Sequence, residues 1–238
     1  MKPLVHRFLR SFHRQLVTYS PHNTLGQHLS LLVQTVGINR VLDVGANAGQ
    51  FGQTMRRSVG YTGQIDSFEP QSAVFEKLTA AADGDPLWHT HNLALGSERC
   101  RKPLLRLTGD DLSSFRQPKA NAAEIWPAAW NIEGTEEVEI ETLTHFLGKL
   151  SSDCKLLLKL DTQGYDLNVI DGASGIMENV MVLVVELPFQ QLYENVPPVW
   201  QTCETLVSKY GLRLTGLYPV SRAQNHTIIE ADGVFLRY

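Results

Sequence analysis

The sequence predicts an α/β fold in which a mostly parallel sheet is covered by helices on both faces. Three observations carry that expectation. From about residue 40, short apolar runs alternate with stretches of helical periodicity. The first apolar run ends in a glycine-rich turn, DVGANAG (43–49), where a strand would feed a helix. At ~150 residues per domain, the 238 residues suit one large domain with an elaboration better than two complete ones.

RVLDVG (40–45) is a β-branched apolar run closed by glycine and reads as a buried strand, followed by AGQFGQTMRRSVG (48–60) as a helix. GQIDSFEP (63–70) is a second strand ended by proline. QSAVFEKLTAAA (71–82) places Val74, Phe75, Leu78 and Ala81 or Ala82 on one helical face. WHTHNLALG (88–96) reads as a third, weaker strand. Residues 97–137 fit no simple βα unit and are expected to form a substrate-side elaboration, after which EEVEIETL (136–143) reads as an edge strand leading into a short helix. CKLLLKLD (154–161) is the most apolar candidate for a central strand; YDLNVIDGASGIM (165–177) follows as a helix and VMVLVVEL (180–187) as another central strand. PVWQTCETLVSKYG (198–211) has proline at its start and glycine past its end, as helix termini prefer, and LRLTGLYPV and GVFLRY close the sheet. Residues 1–39 are expected to form a helical cap on a domain spanning 40–238.

The net charge of −4 hides an asymmetry. Lys2, Arg7, Arg10, Arg14 and Arg40 give residues 1–40 a charge of +5 with no acid, so residues 41–238 carry −9. An acidic body disfavours nucleic acid as a partner, because that affinity rests on neutralising phosphates. Cys100, Cys154 and Cys203 form no CxxC, which argues against a disulfide framework or a structural zinc site and fits a cytoplasmic protein. No apolar run reaches the ~18 residues of a spanning helix, and the start lacks the uninterrupted apolar core of a signal peptide. Residues 1–20 align Leu4, Val5, Phe8, Leu9, Phe12 and Leu16 on one side. They read either as an interfacial helix on the inner face of the membrane or as a lid packed over the domain.

The glycine turn is the first chemical signal. Glycine there permits close backbone approach, and exposed N–H groups at a helix start favour electronegative ligand atoms. Against GxGxxG, however, the chain has Gly45, then Asn47 where the second glycine would stand, then Gly49. Asp43 at the strand end would repel a phosphate but accept a hydrogen bond from an ammonium. This combination favours S-adenosylmethionine over NAD, with a tight turn in a non-binding domain as the alternative. Glu69, ending the second strand, is placed to accept hydrogen bonds from both ribose hydroxyls. Asn92 and Ala94 lie toward the end of the third strand, where an adenine would be held edge-on, with sheet core as the alternative for Ala94.

In order over roughly residues 40–187, VLDVGANAGQF, SFEP, NLALG, KLDTQGYDLNVIDGA and VVEL resemble the FkbM family of S-adenosylmethionine-dependent O-methyltransferases. The resemblance implies a Rossmann-like methyltransferase fold with a seven-stranded, mostly parallel sheet whose last strand is antiparallel. It also implies a hydroxyl acceptor, foremost on a sugar of a glycolipid, glycan or glycosylated natural product, with a polyketide-type alcohol as the alternative. The family shows Lys-x-Asp-x-Glu-Gly-x-Glu after the fourth strand; here it reads Lys159, Asp161, Gln163, Gly164 and Asp166, so Gln163 replaces an acid and Asp166 shortens another. That departure motivates a reading from another class, a cofactor-binding or scaffolding domain without turnover; an NAD-dependent oxidoreductase is the third.

Methyl transfer to a hydroxyl needs alignment and a proton acceptor. Asp161, at the carboxyl end of the central strand, is the favoured base or, if a divalent cation takes part, its ligand; the competing structural role is a cap on the helix that follows. Lys159 alternates with Asp161 and should pair with it, and Glu186 could orient the substrate. His91 and His226 are alternative bases. Ser113 and Ser114 resemble a serine pair common in the family beside substrate or cofactor. Trp126 and Trp130, four apart in helical register, could form a sugar-stacking wall.

Overall fold

A computed structural model describes residues 22–109, 112–126 and 128–238, so the stretch over residues 1–20 lies outside the described part. Helix α1 (Leu25–Leu32) starts at Thr24, whose hydroxyl accepts from the Gln27 N–H, and runs on through a π-helical turn, Val33–Gly37. The chain continues through β1 (Arg40–Val44), α2 (Gln50–Thr54, extended by a π-helical turn to Val59), β2 (Gln64–Phe68), α3 (Ser72–Ala82), β3 (Trp88–His91), β4 (Ala94–Leu95) and β5 (Cys100–Leu107). Then come α4 (Ala122–Ile125), β6 (Ile132–Glu141), α5 (Leu143–Leu147), β7 (Leu156–Leu160), α6 (Asp166–Gly172), β8 (Val180–Pro188), α7 (Val199–Ser208), β9 (Arg213–Arg222) and β10 (Ile228–Leu236).

Seven strands form the main sheet in the order β3-β2-β1-β7-β8-β10-β9. The first five are mutually parallel, and β10 runs antiparallel to both β8 and β9. Strand β7 is central because it can be buried on both faces. Leu156, Leu158 and Leu160 pack with Val169 and Ile170 of α6 and Leu206 of α7, while Leu157 packs on the opposite face with Leu29 of α1, Met55 after α2 and Leu78 of α3. Helices therefore cover both faces, and each buried leucine contributes ~1.5–3 kcal/mol. Leu29 and Leu32 belong to this core, so α1 packs as part of the domain.

Two strand expectations are corrected. The segment 88–96 is not one strand: β3 pairs with β2, and after Asn92 the chain leaves the sheet to form β4. The segment 136–143 is not an edge strand. It belongs to β6, which starts at Ile132 and lies in the middle of a separate three-stranded sheet, β4-β6-β5. The elaboration thus contains a long strand, β5, whose proline and alternating charges masked its periodicity. Beyond it, Leu107, Leu112, Ala122, Trp130, Leu192, Tyr193, Val196 and Ile229 form a cluster of their own.

Candidate functional site

The carboxyl ends of β1, β2, β7 and β8 converge on a cavity of about 450 Å³, within the range of small-ligand sites. One wall is backbone. Gly45 sits at φ +71, and a Cβ there would lie 1.9 Å from the Asp161 carbonyl oxygen, so the turns after β1 and β7 touch directly only because residue 45 is glycine. Gly45 and Ala46 donate to the Phe68 carbonyl, and the Asp161 N–H donates to Val44.

Glu69, 8 % exposed, lines this cavity with both oxygens anchored: Oε2 accepts from the Asn47 N–H at 3.0 Å and Oε1 from the Gln71 N–H at 2.9 Å. Burial pushes its carboxyl up to about 7, against those two N–H groups and the nearby Lys159 ammonium. Hydroxyls donating to Glu69 would favour its charged form, so binding of a ribose diol is linked to proton release. Affinity for S-adenosylhomocysteine is expected to rise by about tenfold per pH unit below pH ~7 and to level off above it. Calorimetry from pH 5.5 to 8 checks this slope, and Glu69→Gln should bind more weakly without it.

At the opposite side, Lys159 is buried under the turn. Its Nζ donates to the Gly45 carbonyl at 3.0 Å and lies 3.5 Å from Asp43 and 3.4 Å from Asp161. Burial disfavours the ammonium, but Asp161 and Asp43 outweigh it and hold it above the usual lysine range. Burial likewise works against the charge of Asp161; Lys159 and hydrogen bonds from Glu186 and Gln163 overcome this and keep its carboxyl below the ordinary range. Glu186 goes the other way: burial and the charges of Asp161 and Glu230 raise it well above. The two carboxyls are thus pushed in opposite directions, Asp161 toward its charged form and Glu186 toward its protonated one. Asp161 keeps 39 % side-chain exposure, facing the cavity.

Of the residues expected from sequence, Gly45, Asn47, Glu69, Ala94, Ser113, Ser114, Trp126, Asp161 and Glu186 line the cavity. Gly49 does not; at φ +88 it starts α2, closely packed against Leu78 and Trp88. Asp43 is placed beneath the floor rather than on it: fully buried, it accepts from the Ser67 hydroxyl at 3.1 Å and pairs with Lys159. Asn92 is exposed, its amide turned onto the Glu69 and Pro70 carbonyls, where it braces the turn carrying Glu69. The helix after β7 is not capped by Asp161; Asp166 reaches back to the N–H and hydroxyl of Thr162.

Ser113 donates to the Gln71 side chain at 2.9 Å, and Ser114, 1 % exposed, donates to the Gln163 carbonyl at 2.7 Å. Trp126 and Trp130 do not share a helix, since α4 ends at Ile125; their rings nevertheless stack at 6.2 Å, with Trp126 on the cavity and Trp130 buried behind it. His91 is bound to Asp66 and stacked on Phe68, and His226 is exposed in the loop between β9 and β10; neither lines the cavity.

Sequence reasoning missed Tyr193, Ser221 and Glu230, and read Gln163 only as a departure from the family pattern. Gln163 bridges Asp161 and Glu186, and Ser221 donates to Glu230 at the cavity edge. The β9 and β10 contributions carry no local motif; only the pairing of β8 with β10 brings them in.

The donor set fits S-adenosylmethionine. Glu69 suits a ribose diol, Phe68, Leu93, Ala94 and Leu95 offer apolar walls for a base, and Asp161 on the cavity suits a cationic sulfur. Among the described residues, no group of three or more His, Cys, Asp or Glu is placed to hold a metal ion. No helix among them is long and apolar enough to cross a membrane.

A search of curated proteins finds no match. Among solved structures, the FkbM methyltransferase from Methylobacillus flagellatus is similar over 87 % of this chain, at 13 % identity and a TM-score of 0.51. This chain spans 47 % of that protein's length. A candidate O-methyltransferase from Klebsiella pneumoniae is similar over 100 % of this chain and 91 % of its own, at 14 % identity and a TM-score of 0.51. Both likenesses are of fold. The family profile described as the methyltransferase FkbM domain matches residues 43–213, most of the chain, and the chain belongs to the FkbM methyltransferase family.

Proposed function

We propose that this chain is an S-adenosylmethionine-dependent O-methyltransferase acting on a hydroxyl of a sugar, in a small or lipid-linked glycan. The observation that carries this reading is a charged Asp161 opening onto the same cavity as Glu69, with Trp126 on the wall beside it. The cofactor supplies a methyl group on a cationic sulfur. Glu69 would hold its ribose, and the Gly45 turn lets the backbone approach it closely. Trp126 offers a flat apolar face of the kind that stacks on a sugar ring. Asp161 accepts the hydroxyl proton as the new bond forms, a role worth ~10²–10⁴-fold. Lys159 and the hydrogen bonds from Glu186 and Gln163 hold Asp161 toward its charged form.

No Lys, Arg or His is among the described residues lining the cavity, whereas Glu69, Asp161, Glu186 and Glu230 are. That balance suits an uncharged hydroxyl compound and disfavours a polyanion.

Calorimetric titration with S-adenosylmethionine, S-adenosylhomocysteine and NAD, followed by transfer of a labelled methyl to glycolipid extracts, tests the proposal. NAD binding without either sulfur ligand would contradict it, and label appearing only in a polyketide-type alcohol would overturn the sugar assignment. Trp126→Ala is expected to raise acceptor KM by about tenfold while leaving S-adenosylhomocysteine affinity unchanged, the scale of one lost aromatic contact; steady-state kinetics with varied acceptor checks this.

A further inference from the structure

We infer that Gln163 is a positioning residue, whose side-chain amide sets the Asp161 and Glu186 carboxyls in the orientation that proton acceptance requires, and that Tyr193 braces this amide. The inference rests on the proposed methyl transfer and gives the departure at Gln163 a role within turnover.

The geometry has three parts. The backbone of Gln163 is left-handed, φ +51, uncommon for a residue with a Cβ, and Gly164 follows at φ +85. That turn is pinned by the Ser114 hydroxyl on the Gln163 carbonyl. Nε2 then donates to Asp161 Oδ1 at 2.9 Å and to Glu186 Oε2 at 3.1 Å, using one amide for two acids. On the far side, Oε1 lies 3.0 Å from the Tyr193 hydroxyl, whose one proton is shared between it and the nearer Leu112 carbonyl at 2.6 Å; Tyr193 is 4 % exposed and packs edge-on against Trp130 at 5.3 Å. The amide is thereby oriented, because two carboxyl oxygens require its donor end.

A glutamate at this position would place a third carboxyl against the pair. Five other titratable groups face Asp161: Lys159 from its own strand, Asp43 from β1, Glu186 from β8, Asp232 from β10 and Asp166 from α6, while Glu230 of β10 acts on Glu186 and Asp232. Only Lys159 among them is cationic. A neutral donor at 163 therefore removes like-charge repulsion as well as supplying hydrogen bonds to the charged form.

The test compares full-length wild type with Gln163→Met, which keeps length without donors, and Gln163→Glu, which keeps shape and adds charge. Carboxyl-carbon NMR titration follows Asp161 directly, and S-adenosylhomocysteine binding reports an intact cofactor half. The Asp161 midpoint is expected to rise by about one pH unit in Gln163→Met and further in Gln163→Glu, with the acid limb of kcat/KM moving equally. The cofactor KM should stay within about twofold. Tyr193→Phe, which keeps both amide donors, should shift the midpoint less.

An unmoved midpoint in both Gln163 variants, or a rate that falls equally at every pH, would overturn the inference. If Gln163→Met does not fold, isosteric Gln163→Glu carries the same comparison. A moved midpoint in a protein that transfers no methyl group would sink the functional proposal and leave the placement of Asp161 by Gln163 standing.

Discussion

Replacing Asp161 by asparagine is expected to lower kcat for methyl transfer by ~10²–10⁴-fold while S-adenosylhomocysteine affinity stays within about threefold of wild type. The expectation follows from where the charge sits. Asp161 is the cavity-lining acid that the surroundings keep ionised, through Lys159 at 3.4 Å and Gln163 at 2.9 Å, whereas Glu186 and Glu69 are both driven toward protonation. Asparagine keeps the shape and offers no proton acceptor of comparable strength. Its amide also meets the Lys159 ammonium where a carboxylate stood, so part of the loss could come from a displaced side chain. Single-turnover rates with acceptor at saturation, beside a thermal unfolding curve, separate the two causes. A variant that folds, binds the sulfur ligand and still turns over at the wild-type rate would remove Asp161 from the chemistry.

Gly45→Ala is the second large effect, and it acts on stability and cofactor binding together. A methyl group there must displace the Asp161 carbonyl, which belongs to the strand end beside it, and the backbone is already in a region that side chains disfavour. A loss of about 3 kcal/mol or more is expected. For a domain of this size that lowers Tm by roughly 6–12 °C. Because relief requires the turns after β1 and β7 to part, S-adenosylhomocysteine affinity should fall by more than about tenfold. Urea unfolding and calorimetry on the same preparation check both figures. Unchanged stability with unchanged affinity would show that the two turns do not need to touch.

Much of this architecture was legible because its determinants are local. The apolar run Leu156–Leu158 can only be buried on two faces, and so it announces the centre of a parallel sheet. The turn at Gly45 and the acid at Glu69 each follow a strand, and strand ends define the ligand-binding edge of this fold. Lys159 and Asp161 alternate, so their pairing follows from strand geometry alone. What escaped was tertiary. Asp43 was legible as an important acid, but nothing local shows that Ser67 and Lys159 take it inward. The helical spacing of Trp126 and Trp130 pointed to one face of a helix that ends before either of them. Gln163 could be read only as a departure from a pattern, because its partners Glu186 and Tyr193 lie 23 and 30 residues away.

The wall at Trp126 and the turns at Gly45 and Glu69 also differ in what holds them up. Trp126 packs on the cluster of Leu107, Ala122, Trp130 and Tyr193, separate from the two clusters that flank the main sheet. Apart from Tyr193, which reaches Gln163, mutations in that outlying cluster can reshape the wall without loosening the strands that present Gly45 and Glu69. The architecture is thus modular in the sense that matters for evolvability: the wall at Trp126 can drift, or be redesigned, under selection that leaves the turns at Gly45 and Glu69 untouched.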